Sequence, residues 1–599
     1  MVNPTADPTT EPETPHVSRS DGETWFGHPR QLARLFTTEM WERFGFYGMR
    51  ALLTLYLADH FLFSDQTTNG LYGAFTSLVY LTPLIGGLIA DRYLGSKRSV
   101  KLGAILMALG YFVLCFGGEA AKPFATIEGQ RYEVQVEGRG SEQVQYLIDG
   151  DQRLRIKGNE DKTVSLLAAD GSEVRKIARG GLVSDGERSP LFTMLMLIAL
   201  SAITVGNGFF KPNISTIVGS LYDQGDRRRD TGFTIFYMGI NLGSLISQLL
   251  CPILAQTVGW WAGFLLAAIG MAFSWSLIQF DGGKLRGYGE PPARIGPDRT
   301  LLIYVGAILA VPVVWFLFHN MLINAAAAAE AAKGGGILGY IQSLPILGKV
   351  LFLTFFMSVI GIPIWAWRVG NRVEFQMMMA AMVLVVFDVV FWTLFEQAGS
   401  SLTFFADRNT DRSTIFGAMP AGSVQVFNPI FIVIFAPIFS LLWTGLAKRG
   451  LEPSIPVKFA IALMGAGVGF LALVWGTGFA GGDFKVALGW VALTYLIHSI
   501  AELCISPVGL SMITKLSIAR VVGLMMGVWF LSIAVAQYVA GMVAQFASVE
   551  TVGGRVTNLK VSLDTYASVF QTIGLISLVI GIVLLLVSPL LKKWMHGVQ

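Results

Sequence analysis

One face of the first long apolar segment carries charged side chains that could bind ions or protons. The charged residues of this face are Glu39, Glu42, Arg43 and Arg50. At 3.6 residues per turn they fall within roughly 140° of arc, together with Phe46 and Tyr47. A charge at the centre of a bilayer costs about 2.5–3.5 kcal/mol on insertion scales. The face must therefore look towards water or partners; a stripe of ion pairs that only locks the helix is the alternative interpretation.

Three later apolar segments carry further polar and charged side chains. They hold Asn207 and Lys211 one turn apart before Pro212, then Asp388, Trp392 and Glu396, then His498, Glu502 and Ser506 at four-residue intervals. A cation on one helix and carboxylates on two others cannot all stay unpaired in a dry core. We predict that they pair across the two halves of the protein or line a polar central cavity. His498 is more typical of a packed core histidine than of a proton relay, and Asp388 has no assigned partner or role.

The charges of these helices leave one negative charge in excess. With Asp388 and His498 left out of the count, four carboxylates stand against three cations: Glu39, Glu42, Glu396 and Glu502 against Arg43, Arg50 and Lys211. One bound proton would neutralise the set, which suits a carrier that cycles with a proton. The sequence contains no HExxH or GxSxG motif and no nucleophile–base pair or metal-ligand cluster. We therefore expect neither an enzyme nor any cofactor besides the coupling proton.

The composition is that of a polytopic membrane protein. Of 599 residues, 53% are hydrophobic and 14% charged, against roughly 25% charged in soluble domains. A net charge of +4 is too small to indicate nucleic acid as a partner. Cys115, Cys251 and Cys504 each lie in an apolar run and are interpreted as buried thiols. The first thirty residues contain no signal-peptide core, so we expect insertion to rely on the membrane helices.

Apolar segments of about 20 residues predict an all-α membrane protein with fourteen transmembrane helices in groups of six, two and six. They lie near 31–63, 70–92, 98–118, 190–220, 231–256, 260–280, 300–319, 346–369, 373–405, 423–447, 456–479, 484–516, 521–546 and 563–592. The predicted domains are a tail at 1–30, a six-helix bundle at 31–280, a linker at 281–372 with two extra helices, a six-helix bundle at 373–592 and a tail at 593–599.

Charge in the loops predicts the orientation. With fourteen spans, one set of basic residues near the helix ends falls entirely on one side: Arg92, Lys97, Arg98, Lys101, Arg227, Arg228, Arg229, Lys284, Arg286, Arg294, Arg299, Arg368, Arg372, Lys448, Arg449, Lys515, Arg520, Lys592 and Lys593. The positive-inside rule makes that side cytoplasmic and places both termini there.

Residues 119–189 differ from the rest of the chain. Polar and apolar residues alternate with period two, and Asp149–Gly150, Gly158–Asn159 and Asp170–Gly171 supply turns. This pattern predicts a small β-rich module, which the topology places outside the cytoplasm. We expect it to be a tolerated insertion without a role in transport. The low-complexity stretch 325–336 is typical of a partly helical connector.

Several motifs resemble those of the proton-dependent oligopeptide transporter family, within the major facilitator superfamily. Residues 39–48, EMWERFGFYG, resemble its ExxERFxYYG motif, and 87–98 the superfamily's loop motif. The other matching segments are 211–213 (KPN), 236–243 (FYMGINLG), 391–397 (FWTLFEQ), 427–429 (FNP), 502–509 (ELCISPVG) and 527–530 (GVWF). The motifs at 39–48 and 211–213 together are the most specific.

The resemblance implies a major facilitator fold and a proton-coupled symporter that imports di- and tripeptides by alternating access. It implies that substrate is bound by Arg43, Tyr47, Tyr80, Lys211, Asn241, Trp392, Asn428, Glu502, Ser506 and Trp529. Proton coupling would use Glu39, Glu42, Arg43, Lys211 and Glu396, and Arg50 would form a gate salt bridge with Glu396. Short peptides, protons and membrane lipid are the expected partners, of a monomer in the bacterial inner membrane.

Phe46 departs from the family motif, which has tyrosine there, so peptide preference need not carry over. Two alternatives share the fold: a carrier of nitrate or another small solute, and a drug–proton antiporter. A bare anion needs a cation but not a carboxylate such as Glu502, and the usual apolar drug cavity fits poorly with Lys211 and Arg43. An intramembrane enzyme or a sensor is the alternative of a different class.

Overall fold

The computed structural model describes residues 24–138, 143–223, 226, 228–285, 287–291, 298–506 and 508–598. Most of the predicted N-terminal tail, residues 1–23, lies outside the described residues, as does Gln599 at the end of the predicted C-terminal tail. Residues 24–30 form a small β-ladder. The ring of His28, in this ladder, lies 2.9 Å from the hydroxyl of Tyr222, just after the fourth helix.

Helices make up most of the described chain. Their bounds are α1 Gln31–Leu55, α2 Asp65–Ile89, α3 Ser96–Leu114, α4 Pro190–Ser220, α5 Arg228–Thr257, α6 Trp260–Gln279, α7 Thr300–Ser343, α8 Ile346–Val369, α9 Arg372–Phe395, α10 Ser401–Arg408, α11 Phe427–Lys448, α12 Ile455–Thr477, α13 Leu488–Ile505, α14 Gly509–Leu516, α15 Val522–Phe546 and α16 Leu559–Trp594.

Twelve helices of the described chain are long and apolar enough to cross a membrane. Helices α1 and α3 are not among them. Helix α1 carries Glu39, Glu42, Arg43 and Arg50, and α3 begins with a basic turn around Lys97. Both nevertheless pack with the other helices, α1 against α5 and α6, and α3 against α4 and α6. We call α1–α6 the first bundle and α9–α16 the second bundle.

Two predicted helices are broken in the structure where the second bundle contacts the cavity. Helix α9 ends at Phe395 and passes through a 3₁₀ turn, Glu396–Gly399, into α10. The predicted helix 484–516 is likewise divided into α13 and α14. Helix α9 begins with a capping box. The Asn371 side chain accepts a hydrogen bond from the backbone N–H of Glu374, and the Glu374 carboxylate accepts one from the backbone N–H of Asn371.

The connector between the two middle helices is helical along its length. Helix α7 continues through the low-complexity stretch to Ser343, well beyond the predicted end near 319. Alanine has the highest helix propensity, so the alanine-rich part of this stretch extends the helix. Helix α7 packs against α2 and α4, and α8 packs against α9 and α15. The two linker helices therefore contact both bundles.

Residues 122–187 form a seven-stranded antiparallel sheet, which we call the insertion. Its strands follow the two-residue β1 Thr24–Trp25 and β2 His28–Pro29, and are β3 Lys122–Ile127, β4 Gln130–Glu137, β5 Val144–Asp149, β6 Gln152–Gly158, β7 Val164–Leu167, β8 Glu173–Ile177 and β9 Leu182–Glu187. Their order is β8-β7-β6-β5-β4-β3-β9. Gly150 and Gly171 take positive φ, 58° and 84°, in the tight turns that the sequence predicts.

Short strands complete the end of the molecule that carries the insertion, the insertion side. They are β10 Thr410–Asp411, β11 Ser413–Thr414, β12 Gly417–Ala418, β13 Val486–Ala487, β14 Thr551–Val552 and β15 Arg555–Val556. Val552 of the β14–β15 hairpin belongs to the hydrophobic core of the insertion. The Gly158 amide donates to the Thr557 carbonyl at 3.3 Å, and the Asn558 amide group donates to the Gly158 carbonyl at 3.0 Å. The insertion, covalently part of the first bundle, therefore packs on the second.

A buried ion pair joins the two bundles on the insertion side. Asp65, at the start of α2, accepts two hydrogen bonds from the Arg408 guanidinium of α10, at 2.6 and 2.7 Å. The same guanidinium donates to the Tyr566 hydroxyl at 3.1 Å. Nearby, Gly73 and Gly541 allow α2 and α15 to touch, since a Cβ on Gly73 would lie 2.8 Å from the Gly541 Cα. The two bundles are thus held together at this end.

Arg408→Ala should lower the free energy of unfolding by about 3–5 kcal/mol, because it leaves Asp65 buried without its cation. Replacing both partners by leucine should recover much of this loss. The matched control is Arg131→Ala, which breaks an exposed ion pair with Glu187 (side chains 54% and 66% exposed) and should change stability by about 0–1 kcal/mol. Thermal unfolding in detergent measures all three variants. Equal melting temperatures of Arg408→Ala and Arg131→Ala would contradict a stabilising role of the buried ion pair.

Candidate functional site

A cavity of about 280 Å³ lies between the two bundles. The first bundle contributes Arg43, Tyr47, Arg50, Tyr80, Lys211, Tyr237, Ile240, Asn241, Ser244 and Gln248 to its wall, and the second contributes Trp392, Phe395, Glu396, Ala398, Gln425, Asn428, Tyr495, Glu502 and Ser506. A larger cleft of about 760 Å³ opens on the insertion side. The smaller cavity is the candidate site because it holds the charges that the sequence singles out.

Arg43 is the most densely paired charge of the site. Its Nε lies 3.0 Å from Glu39 Oε1 and 2.6 Å from Glu42 Oε2, and all three side chains are buried. Helix α1 makes this possible because the three residues fall on one helical face. Arg43 Nη2 is buried and has no hydrogen-bond partner among the described residues, and Arg43 lines the cavity. A guanidinium in this position can receive a carboxylate.

Lys211 brings a second cation to the cavity from α4. Its ammonium lies 4.4 Å from the centre of the Tyr80 ring, a cation–π contact. None of the ion pairs found among the described residues includes Lys211. The half-buried lysine is therefore available to an anionic ligand in the cavity.

Arg50 and Glu396 form a buried ion pair between the two bundles, as the sequence analysis expects of a gate. Arg50 Nε also donates to the Tyr72 hydroxyl at 2.7 Å. One turn along α1, the Thr54 hydroxyl donates to the Gly399 carbonyl at 2.5 Å. These contacts close the cavity towards the insertion side.

Glu502 presents a carboxylate from the second bundle. Its Oε2 accepts a hydrogen bond from the Asn428 amide group at 3.0 Å, and that amide also donates to the Ser499 hydroxyl at 3.0 Å. Asn428 stands at the start of α11 and Glu502 near the end of α13, and both line the cavity. The ion pairs of the described residues do not include Glu502, so its charge can be compensated by a cationic ligand.

Most of the predicted site residues meet at this cavity, and three lie elsewhere. Glu39 and Glu42 sit behind Arg43 rather than in the wall. Trp529 is also outside the described wall. Its indole ring packs directly on Gly509, so closely that a Cβ atom added to this glycine would clash with the ring. The expected contact of Trp529 with the cavity is therefore absent in this conformation.

Two further residues pack within the protein instead of facing the cavity. Phe46 is buried under the Arg43 guanidinium, 5.6 Å from ring centre to Cζ. The His498 ring nitrogen lies 3.0 Å from the Ala466 carbonyl, and the centres of the His498 and Phe470 rings are 4.8 Å apart. His498 thus behaves as the packed core histidine that the sequence analysis favours.

Helix α5 contributes polar residues that the sequence analysis does not single out. Tyr237, Ser244 and Gln248 line the cavity together with Asn241. Their spacing of four, three and four residues places them on one face of an apolar helix. A polar stripe at helical spacing was the signal that could have identified them. Gln425 and Tyr495 also line the wall, but they come from isolated positions without such a pattern.

Comparisons with known proteins show the family of this chain. The sequence profile of the POT family (PTR2) matches residues 97–559. Dipeptide and tripeptide permease A of Klebsiella pneumoniae strain 342 is 30% identical over 570 residues, covering 95% of this chain and 93% of the relative. The uncharacterized transporter YclF of Bacillus subtilis strain 168 is 31% identical over 582 residues, covering 96% of each.

Solved structures of similar fold align along nearly the whole chain. A crystal structure of peptide transporter POT with sulfate has a TM-score of 0.70 and 28% identity, covering 96% of this chain and 97% of that one. A mutant of peptide transporter POT in complex with alafosfalin gives a TM-score of 0.69 at 27% identity, with the same coverage. Because the family profile matches more than half of the sequence and the relatives align end to end, this chain belongs to the POT family of membrane transporters.

Proposed function

We propose that this chain is a proton-coupled symporter that imports di- and tripeptides by alternating access. The observation that carries the proposal is the placement of opposite charges on opposite walls of one cavity. Arg43 and Lys211 of the first bundle can receive a peptide carboxylate, and Glu502 of the second can receive its amino group. Relatives named dipeptide and tripeptide permease support this substrate class.

The walls between these charges suit a ligand of fixed backbone and variable side chain. A dipeptide is a zwitterion with a set distance between its charged ends, so a cation and a carboxylate facing each other select backbone length. Tyr47, Tyr80 and Trp392 supply aromatic surface that accepts different side chains. Asn241, Asn428 and Ser506 add hydrogen-bonding groups, and Asn241 and Asn428 would lie near the amino end of the peptide. Trp529 would join the cavity wall only in another conformation.

Proton coupling is proposed to use the buried carboxylates of α1 and of the 3₁₀ turn after α9. Glu39 and Glu42 share the single Arg43 guanidinium, so a proton on either carboxyl or a peptide carboxylate at Arg43 changes the same charge balance. Lys211 takes part because it faces the same cavity. Glu396, when ionised, holds Arg50 and keeps the two bundles together on the insertion side. Its protonation would remove that attraction and favour opening.

The proposed architecture has fourteen membrane helices: bundles at 31–280 and 373–592 and two extra helices in the linker 281–372. Packing of α1 and α3 inside the first bundle supports counting them as spans. The basic loops support placing both tails, 1–30 and 593–599, in the cytoplasm and the insertion within 119–189 outside the bacterial inner membrane. One chain supplies both cavity walls, so we propose a monomer surrounded by lipid, with protons rather than a cofactor as coupling agent.

A second solute class, nitrate or a drug-like compound, remains the alternative on the same fold. A bare anion would use Lys211 and Arg43 but would leave Glu502 without a partner. Glu502 therefore favours the peptide.

Uptake of labelled dialanine into liposomes should be driven by an imposed proton gradient. A potential of about 100 mV supplies about 2.3 kcal/mol per charge and one pH unit about 1.4 kcal/mol, so one proton supports about 500-fold accumulation. An ionophore that collapses both gradients should abolish accumulation. Unchanged accumulation under the ionophore would exclude proton coupling, and uptake of nitrate without dialanine would favour the alternative.

Lys211→Ala should weaken peptide binding by about 2 kcal/mol or more, because it removes the anchor of the carboxylate. Capping the peptide carboxylate as an amide should weaken binding to the parent protein strongly and to Lys211→Ala little further. The matched control is Glu502→Ala, which should stay sensitive to the carboxyl cap and lose sensitivity to an acetyl cap on the amino end. Competition of capped peptides against labelled dialanine measures both; equal sensitivity of parent and Lys211→Ala to the amide would rule out this role.

Glu396→Gln should abolish gradient-driven uptake and preserve exchange of labelled for unlabelled peptide. Glutamine mimics the protonated carboxyl permanently, so the proton-dependent step is lost while exchange, which needs no net proton movement, continues. Both assays are run on the same liposome preparation. Intact accumulation in Glu396→Gln would disprove the gate mechanism, and loss of both activities would indicate a structural role.

A further inference from the structure

Asp388 is a buried carboxyl about two turns before the gate residue Glu396, which begins the 3₁₀ turn after α9. It lies in α9, one turn before Trp392, and its side chain is fully buried. The ion pairs of the described residues do not include it. Asp388 Oδ1 accepts a hydrogen bond of 3.1 Å from the Trp392 indole Nε1. The carboxyl therefore acts on a residue that lines the cavity without lining the cavity itself.

The second oxygen of this carboxyl shows which protonation state fits the site. Oδ2 is buried and has no hydrogen-bond partner among the described residues. A neutral Asp388 with its proton on Oδ2 still accepts from the indole through Oδ1, whereas an ionised one leaves a buried charge uncompensated.

Trp392 needs this partner because its indole forms part of the cavity wall. Its ring packs edge-on against Phe391 at 5.3 Å and Phe395 at 5.4 Å between centroids. The indole N–H is the one polar group of this side chain, and these apolar contacts offer it no partner. A buried indole N–H usually finds a hydrogen-bond acceptor. The hydrogen bond to Asp388 fixes the rotation of the ring and hence the shape of the wall.

We propose that Asp388, in its protonated form, is a positioning residue that holds Trp392 as the wall against the substrate's side chain. The inference rests on the proposed peptide transport and deepens it. Asp388 contributes to selection among peptides by side-chain size and leaves recognition of the charged peptide ends to other residues. A peptide with a large side chain reaches the wall; dialanine, with two methyl groups, depends on it less.

The test compares two replacements of Asp388 in uptake of diphenylalanine and dialanine. Asp388→Leu removes the acceptor at similar volume and should raise the KM for diphenylalanine about 3- to 10-fold, the loss of one hydrogen bond. The KM for dialanine and the kcat for both peptides should change less than about twofold. Asp388→Asn keeps an acceptor oxygen for the indole at nearly the same volume, so it should restore the parent KM values. Equal loss in Asp388→Asn and Asp388→Leu, or equal loss for both peptides, would overturn the proposal.

Trp392→Phe removes the indole N–H, so adding Asp388→Leu to it should not raise the KM for diphenylalanine beyond that of Trp392→Phe alone; additive losses would contradict the assignment. Should Asp388→Leu fail to fold, Trp392→Phe by itself should raise the KM for diphenylalanine more than the KM for dialanine, and an equal change for both peptides would overturn the proposal. The infrared band of a protonated carboxyl, measured on purified protein at neutral pH, should weaken in Asp388→Asn. An unchanged band would disprove the neutral form. This readout does not depend on transport, and absence of dialanine uptake by the parent would instead refute the proposed function.

Discussion

A charge moved from water into a helical membrane bundle costs several kcal/mol unless an opposite charge, a hydrogen bond or a bound proton compensates it. The cavity between the two bundles depends on this constraint. Arg43 is shared by Glu39 and Glu42, so two buried carboxylates depend on one guanidinium. Lys211 and Glu502 face the cavity from opposite bundles without ion-pair partners among the described residues. Such a cavity is poised to bind a ligand that carries both charges.

The same constraint explains how the bundles are held at one end. Arg50 with Glu396, and Asp65 with Arg408, each place one member of the pair in each bundle. Separating the bundles would leave two buried charges uncompensated in each case, unless protons or water replace the lost partner. The insertion adds an apolar contact to these ion pairs, because Val552 of the second bundle completes its core. This contact makes the insertion part of the closed end rather than a separate surface module.

Helix α9 connects the gate with the cavity wall through its regular spacing. Asp388, Trp392 and Glu396 follow at intervals of four residues, so they lie one above the other along one face. Glu396 pairs with Arg50 across the bundles, and Trp392 forms part of the wall in the next turn. Asp388 then fixes the indole from behind. Helix α9 and the 3₁₀ turn that follows it thus carry residues for closure and for the shape of the site.

The sequence by itself determined the helical membrane class, the charged face of α1 and the chemistry of most of the site. Apolar segments long enough to span a bilayer, and the charges within them, are visible without coordinates. A charge in such a segment is energetically costly, so its presence indicates a partner or a function. The period-two pattern of 122–187 likewise predicted strands where the sheet is found. The family motifs added the pairing of Arg50 with Glu396, which the structure contains.

Only the tertiary structure decided which partners these residues have. Arg408 and Asp65 are separated by hundreds of residues, and neither lies in a motif, so their bidentate pair could not be read from spacing. The position of Trp529 on Gly509 and the place of Val552 in the insertion core depend on the packing of separate elements of the chain. Periodicity fixes the face on which a side chain lies within its own helix or strand. The contacts of that face are set by how the bundles pack, which local sequence does not encode.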